Sequence, residues 1–220
     1  MTRNNRDRTP DLVLELALHN EGIAIIAGVD EAGRGAWAGP VVAAAVVLPL
    51  ERSNLKTELD GVRDSKLLSA RQRSHWAGII LEIGAAIGVG LATAEEVDTL
   101  GLIPATRSAM TRALYELDPL PDYLLIDHIL LPEFDLPQTA LPRGDAIVLS
   151  IAAASIIAKV TRDNIMIEFE EHYPGYGFPR HKGYGTSAHQ EALAALGPSP
   201  IHRRSFTPIT SLLSGALAPI

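Results

Sequence analysis

Residues 23–29 form an apolar, mostly β-branched run that ends on two adjacent carboxylates, Asp30 and Glu31. A glycine-rich segment, residues 32–40, leads from there to a second apolar run at 41–48. Runs of this length and composition are buried strands. Neighbouring carboxylates at a strand end are costly to bury, so they are either solvated or bound to a cation. Gly33 and Gly35 favour the second reading, because they let backbone approach a ligand closely, as a phosphate or sugar requires. A dinucleotide-binding turn also starts with a strand and glycines. Here, however, Gly33, Gly35 and Gly39 are spaced G-x-G-x-x-x-G, and residues 40–48 are strand-like where that fingerprint opens a helix.

The rest of the chain alternates helices with strands. Ser69 stands at an N-cap ahead of Trp76, Ile79, Ile80 and Ile83, and the helix it opens, residues 69–83, ends before Gly84. Residues 86–93 predict a third strand. Residues 94–117 predict one or two helices interrupted near Gly101 and Pro104 and closed by Pro119 and Pro121. A strand over 123–127, a proline-bearing loop, a short strand over 146–149 and the longest helix, 150–172, follow; Pro174 and Gly175 stop that helix. This order predicts a mixed α/β sheet, its early strands antiparallel and its later ones parallel across helical crossovers. From Tyr173 the composition shifts to Gly, Pro, Tyr and His, which predicts a loop, a small helical appendage with a helix at 187–196, and a frayed end after Gly197.

A length of 220 residues accommodates one catalytic unit with a small appendage, and 47% hydrophobic with 20% charged residues is a globular balance. With no cysteine in the chain, a metal must be held by carboxylate, imidazole or carbonyl groups, which suit magnesium or manganese. Residues 1–11 are polar, and no run reaches the roughly 18 apolar residues of a membrane span, so a cytoplasmic protein is expected. The net charge of −7 argues against a protein that coats nucleic acid nonspecifically through Lys and Arg. A nuclease whose acids surround divalent cations is compatible with it.

Asp127 ends the apolar run 123–126, and Asp145, after Gly144, opens the predicted short strand. Alone, each is an ordinary turn or capping aspartate. With Asp30 and Glu31 they make four carboxylates on adjacent element ends. Such a set suits two cations about 4 Å apart, one lowering the pKa of an attacking water and one stabilising the leaving oxygen. Asp163, in mid-helix, reads instead as a salt-bridging surface residue. Asp64-Ser65-Lys66 offers a hydroxyl, a cation and N–H groups to a phosphate, or is a solvated helix entry. Lys159 and Arg162, at i and i+3, line a groove or form the wet side of the long helix. His181-Lys182-Gly183-Tyr184-Gly185-Thr186 suits a sugar or base packed on a ring beside a held phosphate, or anchors the appendage. His181 and His189 lack the partners zinc would need.

These residues resemble the ribonuclease HII family over residues 28–189. The likeness rests on Gly28-Val29-Asp30-Glu31-Ala32-Gly33-Arg34-Gly35 with Gly39-Pro40-Val41-Val42-Ala43-Ala44, on Asp64-Ser65-Lys66, on Asp127, on Gly144-Asp145, on the stretch from Ala152 to Asp163, and on the loop from His181 to Thr186. The resemblance implies a ribonuclease H-like mixed sheet flanked by helices, as a catalytic domain at 18–172, with a small helical C-terminal region at 173–220 completing the substrate groove. It implies an endoribonuclease that hydrolyses the RNA strand of RNA:DNA hybrids and nicks 5′ of ribonucleotides embedded in duplex DNA. Asp30, Glu31, Asp127 and Asp145 would be its catalytic quartet, holding two Mg2+ or Mn2+ ions. The backbone of Gly33, Arg34 and Gly35 would sense the ribose 2′-hydroxyl and Tyr184 would pack on the next deoxyribose, with Ser65, Lys66, Lys159 and Lys182 as further nucleic-acid contacts.

The chain departs from the family in having His128 where glycine often follows the aspartate, and Leu67 in place of a second lysine. Residues 197–220 carry no signal that assigns a clamp protein as recruiter, and nothing demands more than a monomer. A junction resolvase or transposase-like nuclease would share the acids but need no 2′-hydroxyl reader. A hybrid-binding protein without activity would tolerate loss of all four.

Overall fold

The computed structural model describes residues 9–214. Its elements are α1 (Val13–Asn20), β1 (Ile26–Ala32), β2 (Val41–Val47), α2 (Leu55–Glu58), α3 (Ala70–Ile83), β3 (Ala86–Ala92), α4 (Ala94–Leu100), α5 (Leu102–Tyr115), β4 (Tyr123–Asp127), β5 (Gln138–Leu141), α6 (Leu149–His172), α7 (Phe178–His181), α8 (Ser187–Leu196) and α9 (Ile209–Leu213). Short 3-10 turns cover Ser65–Leu67 and Gly144–Ala146. No helix among the described residues is long and apolar enough to cross a membrane.

The five strands form one mixed sheet in the order β3-β2-β1-β4-β5. β1 pairs antiparallel with β2, and β2 with β3, while β1 with β4 and β4 with β5 run parallel. Helices cover both faces, which explains why every residue of β2 is buried. Alternation sends Ala44 and Val46 towards α3 and α6, and Val41, Ala43, Ala45 and Val47 towards α5. Small residues set how closely the helices lie. A Cβ at Gly28 would overlap the backbone of Ser150 and Ile151 in α6, and one at Gly88 or Gly90 would overlap backbone carbonyls of α5.

Local signals account for the helix ends. Ser69 and Gln72 form the capping box of α3, and Thr93 and Glu96 that of α4. Gly101, at φ 86°, breaks α4 from α5. The first turn of α6 has no cap of its own. Glu15 of α1, 1% exposed, accepts a hydrogen bond from the Ser150 amide at 2.9 Å and brings negative charge to that N-terminus.

Three expectations are corrected. The strand expected at 146–149 is absent: Ala146 closes a 3-10 turn, Leu149 opens α6, and Val148 keeps a single bridge to Asp11. Its apolar residues serve burial, since Ile147 and Val148 pack against Leu14 and Leu18 of α1. The last strand is β5, within the stretch read as loop, and polar half-buried residues such as Gln138 and Thr139 hide it. The frayed end expected after Gly197 is packed through Ser214, and the part of that expectation over 215–220 lies outside the described residues. Ala38 bridges His202, and Ile209 is fully buried.

Gly28→Ala is expected to lower stability by about 1–3 kcal/mol, since the added methyl overlaps α6 backbone as well as the Ser150 hydroxyl. A midpoint drop of about 2–4 °C per kcal/mol in thermal unfolding would measure it.

Candidate active site

β1 and β4 end side by side. Val29 is registered with Ile126, so the next residues, Asp30 and Asp127, lie at one sheet edge. Asp30 and Glu31 still pair with Ala44 and Ala43 of β2 and so belong to the strand. Alternation separates them: Asp30 shares the face of Gly28, beneath α6, and Glu31 takes the other. Asp127 Oδ1 accepts from the Gly144 amide at 2.7 Å and fixes the turn that carries Asp145 ahead of α6. Asp30 and Asp145 are 4% and 5% exposed.

Crowding of acids in so little solvent raises their pKa values. Burial pushes Asp30 well up, and Glu31, Asp127 and Asp145 push the same way. Asp145 rises to about 6 through burial and the neighbouring Asp64 and Asp127. Glu31 is raised by burial, against the pull of Arg34, whose guanidinium lies 3.2 Å from Oε1. Burial works against the Lys66 charge, but Asp64, Asp30, Asp145 and Asp127 outweigh it and hold the ammonium above its ordinary pKa.

The donor set fits a divalent cation. Its groups are all carboxylates, and the second oxygen of Glu31 is buried without a hydrogen-bond partner. The set is an open one: among the described residues, no three acidic or imidazole groups close on one point as a finished cage.

Glu31 also lines a cleft of about 490 Å³ whose wall includes Gly33, Arg34, Gly35, Ser65 and Lys66. Lys159, Tyr184, Leu102 and Phe206 complete its lining. Lys66 Nζ stands 3.9 Å from carboxylate oxygens of both Asp64 and Asp145. The Ser65 amide donates to Ser155 Oγ at 3.0 Å, which ties this corner to α6. Tyr184 is half-buried, its ring 5.3 Å from Lys159 Nζ and 5.2 Å from the Arg162 guanidinium carbon. Lys182 stays out of the cleft wall: its ammonium donates to the Pro179 carbonyl and its own carbonyl accepts from Arg162.

The glycines of the loop differ in purpose. Gly33, at φ 97°, has the Arg162 side chain where a Cβ would go, so its lack of a side chain serves the protein's interior. Gly35 has nothing within 4 Å of its absent Cβ and lines the cleft with bare backbone. Arg162 is therefore not on the wet side of α6. It is fully buried and donates to the carbonyls of Ala38, Pro40 and Lys182. Asp163 is the ion-pair residue expected, although its side chain is only 14% exposed: it meets Lys159 at 2.7 Å and Arg73 at 3.6 Å.

Sequence reasoning missed four parts of this region. Asp64 is a further acid beside Asp145. Arg203, fully buried, donates twice to the Gly39 carbonyl and once to that of Arg34. His202 joins His181 and His189 in a buried group of imidazoles. Phe206 edges the cleft. Only Asp64 had a signal in the sequence, as the acid of Asp64-Ser65-Lys66.

The family model for ribonuclease HII matches residues 27–209. The chain belongs to the ribonuclease HII family. It is 52% identical over 199 residues to the ribonuclease HII of Herpetosiphon aurantiacus, an alignment covering 90% of this chain and 96% of that one. Its fold is similar to ribonuclease H2 from Pyrococcus horikoshii, with TM-score 0.73 and 28% identity over 87% of this chain and 98% of that one. It is also similar to the Archaeoglobus fulgidus protein in the structure of a PCNA:RNase HII complex, with TM-score 0.70 and 26% identity over 84% and 96%. Membership makes the chain a hydrolytic nuclease of the ribonuclease H type, acting on RNA:DNA hybrids. The mixed sheet flanked by helices, with its helical C-terminal region, is the ribonuclease H-like fold expected.

The departures of this chain from its family now have a setting. His128 sits at φ 63°, the left-handed region glycine favours, so the side chain is carried at a conformational cost of about 1 kcal/mol or more. Leu67 is exposed.

His189 and His202 supply a pH dependence. Burial pushes each down to about 4. The unfolded chain, with ordinary histidines, therefore binds more protons between about pH 4 and 6.5. Their contribution to stability is complete above about pH 6.5 and is lost as the pH falls through that window. The thermal midpoint of the wild type minus that of His189→Gln is expected to shrink over this range, and a difference independent of pH would contradict the assignment.

Proposed function

We propose that the chain hydrolyses the RNA strand of RNA:DNA hybrids and nicks duplex DNA 5′ of an embedded ribonucleotide, leaving 5′-phosphate and 3′-hydroxyl ends. The observation that carries this reading is the cleft. It joins bare backbone at Gly35 to the acid cluster through Glu31, with Tyr184 in the same lining.

Asp30, Glu31, Asp127 and Asp145 would hold two Mg2+ or Mn2+ ions. Bound there, the cations supply a water of lowered pKa and neutralise charge developing on the phosphate oxygens. Asp30 and Asp127, anchored in paired strands, fix the position of the set, and Asp145 sits on a turn held by a single hydrogen bond to Asp127. Lys66 remains charged beside Asp145 and faces the cleft, where it offsets negative charge near the scissile phosphate. Ser65 and Lys159 contact neighbouring phosphates, and Lys182 belongs to the same binding face. The open side of residues 33–35 lets backbone donors and acceptors reach the ribose 2′-hydroxyl, the group that tells RNA from DNA. Tyr184, braced by Lys159 and Arg162, packs on the following deoxyribose.

The C-terminal region, residues 173–220 as read from the sequence, completes the substrate groove in this reading, and Tyr184 and Phe206 at the cleft support it. The enzyme acts as a cytoplasmic monomer in the excision of ribonucleotides from DNA.

The test is cleavage of three duplexes: one DNA duplex with a single ribonucleotide, one RNA:DNA hybrid and one all-DNA control, each with magnesium, manganese or chelator. Cutting that needs metal and occurs only at ribonucleotides is expected, and equal cutting of all three would contradict the proposal. Asp145→Asn is expected to lower turnover by at least about 100-fold while hybrid binding persists, as when an interaction made only in the transition state is removed. Filter binding beside single-turnover kinetics separates the two effects.

A further inference from the structure

The buried imidazoles beneath Tyr184 take no part in the hydrolysis proposed above, yet their protons are fully specified. His202 Nδ1 lies 2.9 Å from the Ser199 amide, which can only donate, so the His202 proton is on Nε2. That nitrogen donates across 3.0 Å to His189 Nε2, and His189 therefore carries its proton on Nδ1. From there it donates to the Tyr184 carbonyl at 3.1 Å. His181 is fixed in the same way, accepting from the Gly183 amide and donating to the Tyr176 carbonyl at 2.9 Å. The rings stack, His181 on His189 with centroids 4.4 Å apart, and His202 packs on Tyr176 and Phe178. A second proton on His189 would sit on Nε2 and point at the His202 N–H, so the relay requires a neutral His189.

The residue after His202 reaches the loop that lines the cleft at Arg34. Arg203 donates to the Gly39 carbonyl at 2.9 and 3.1 Å and to the Arg34 carbonyl at 2.8 Å. Its amide is held by the Trp37 carbonyl at 2.8 Å, and Ala38 bridges His202. Two consecutive residues of one segment thus hold Tyr184 on one side and the backbone of residues 34–39 on the other.

We propose that His202 and Arg203 are positioning residues that set the span between the Gly33-Arg34-Gly35 backbone and Tyr184, and with it the enzyme's preference for a ribose followed by a deoxyribose. The inference rests on the reading of these two walls given under Proposed function. Neither residue touches substrate in it. His202 acts through His189 on Tyr184, and Arg203 acts through the carbonyls of Arg34 and Gly39.

The test compares KM and kcat for a duplex with one embedded ribonucleotide and for a long hybrid, in the wild type, His202→Phe, His202→Gln and Arg203→Lys. Phenylalanine keeps the ring and its stacking but cannot donate to His189, whereas glutamine restores a donor near the Nε2 position. His202→Phe is expected to raise KM for the single-ribonucleotide duplex, relative to the long hybrid, by about tenfold, with kcat changed by a smaller factor. His202→Gln should recover most of that loss. Arg203→Lys keeps the charge without the fork and should shift the KM ratio as His202→Phe does. If packing were the whole role, phenylalanine would be tolerated and glutamine would be the worse variant, which would overturn the proposal. Should His202→Phe fail to fold in a thermal melt, Arg203→Lys decides, and a wild-type KM ratio in that variant would overturn the proposal too. A wild type that cuts neither substrate would overturn the functional reading itself, and this inference with it.

Discussion

Parallel pairing of β1 with β4 is the contact on which the acid cluster depends. It brings the ends of two apolar runs, 97 residues apart at the Ile25 amide and Asp122 carboxylate, to one sheet edge and so sets Asp30 beside Asp127. Everything else at the edge follows from it. Asp127 holds Gly144, Gly144 carries Asp145, and α6 starts four residues later against a strand whose Gly28 admits its backbone. The resulting assembly of buried like charges opposes folding in the absence of cations, and the sheet must be stable enough to impose it.

Much of this was legible in the sequence. The strands and their acids announce themselves because an apolar run that stops at a carboxylate has few other readings, and the capping boxes of α3 and α4 lie within four consecutive residues each. Asp30, Glu31 and Asp127 were found that way, whereas Asp145 was placed at the start of a strand that is a 3-10 turn. The run at 146–149 was misread because a short apolar segment buries equally well as strand or helix, and here α1, itself unread, supplies the surface it packs on. β5 was lost to its half-polar edge position.

Arg203, His202 and Asp64 show why the remainder was hidden. An arginine in a polar tail looks solvated until its acceptors are known, and these are carbonyls, which leave no trace in side-chain chemistry. Arg162 was open to either reading for the same reason. Burial lowers both guanidiniums, Arg203 to about 10, and neither has a carboxylate in its hydrogen-bond set; a guanidinium keeps its proton in proteins. A chain of net charge −7 thus keeps two buried cations beside the cleft.

The bonds from Arg203 to Gly39 and Arg34 join residues 164 and 169 positions apart. During synthesis the acid-bearing strands and the long helix precede this segment and can dock first, whereas residues 34–39 gain these bonds only once Arg203 has emerged. A nascent chain therefore holds its cluster of acids together before the loop beside it is pinned.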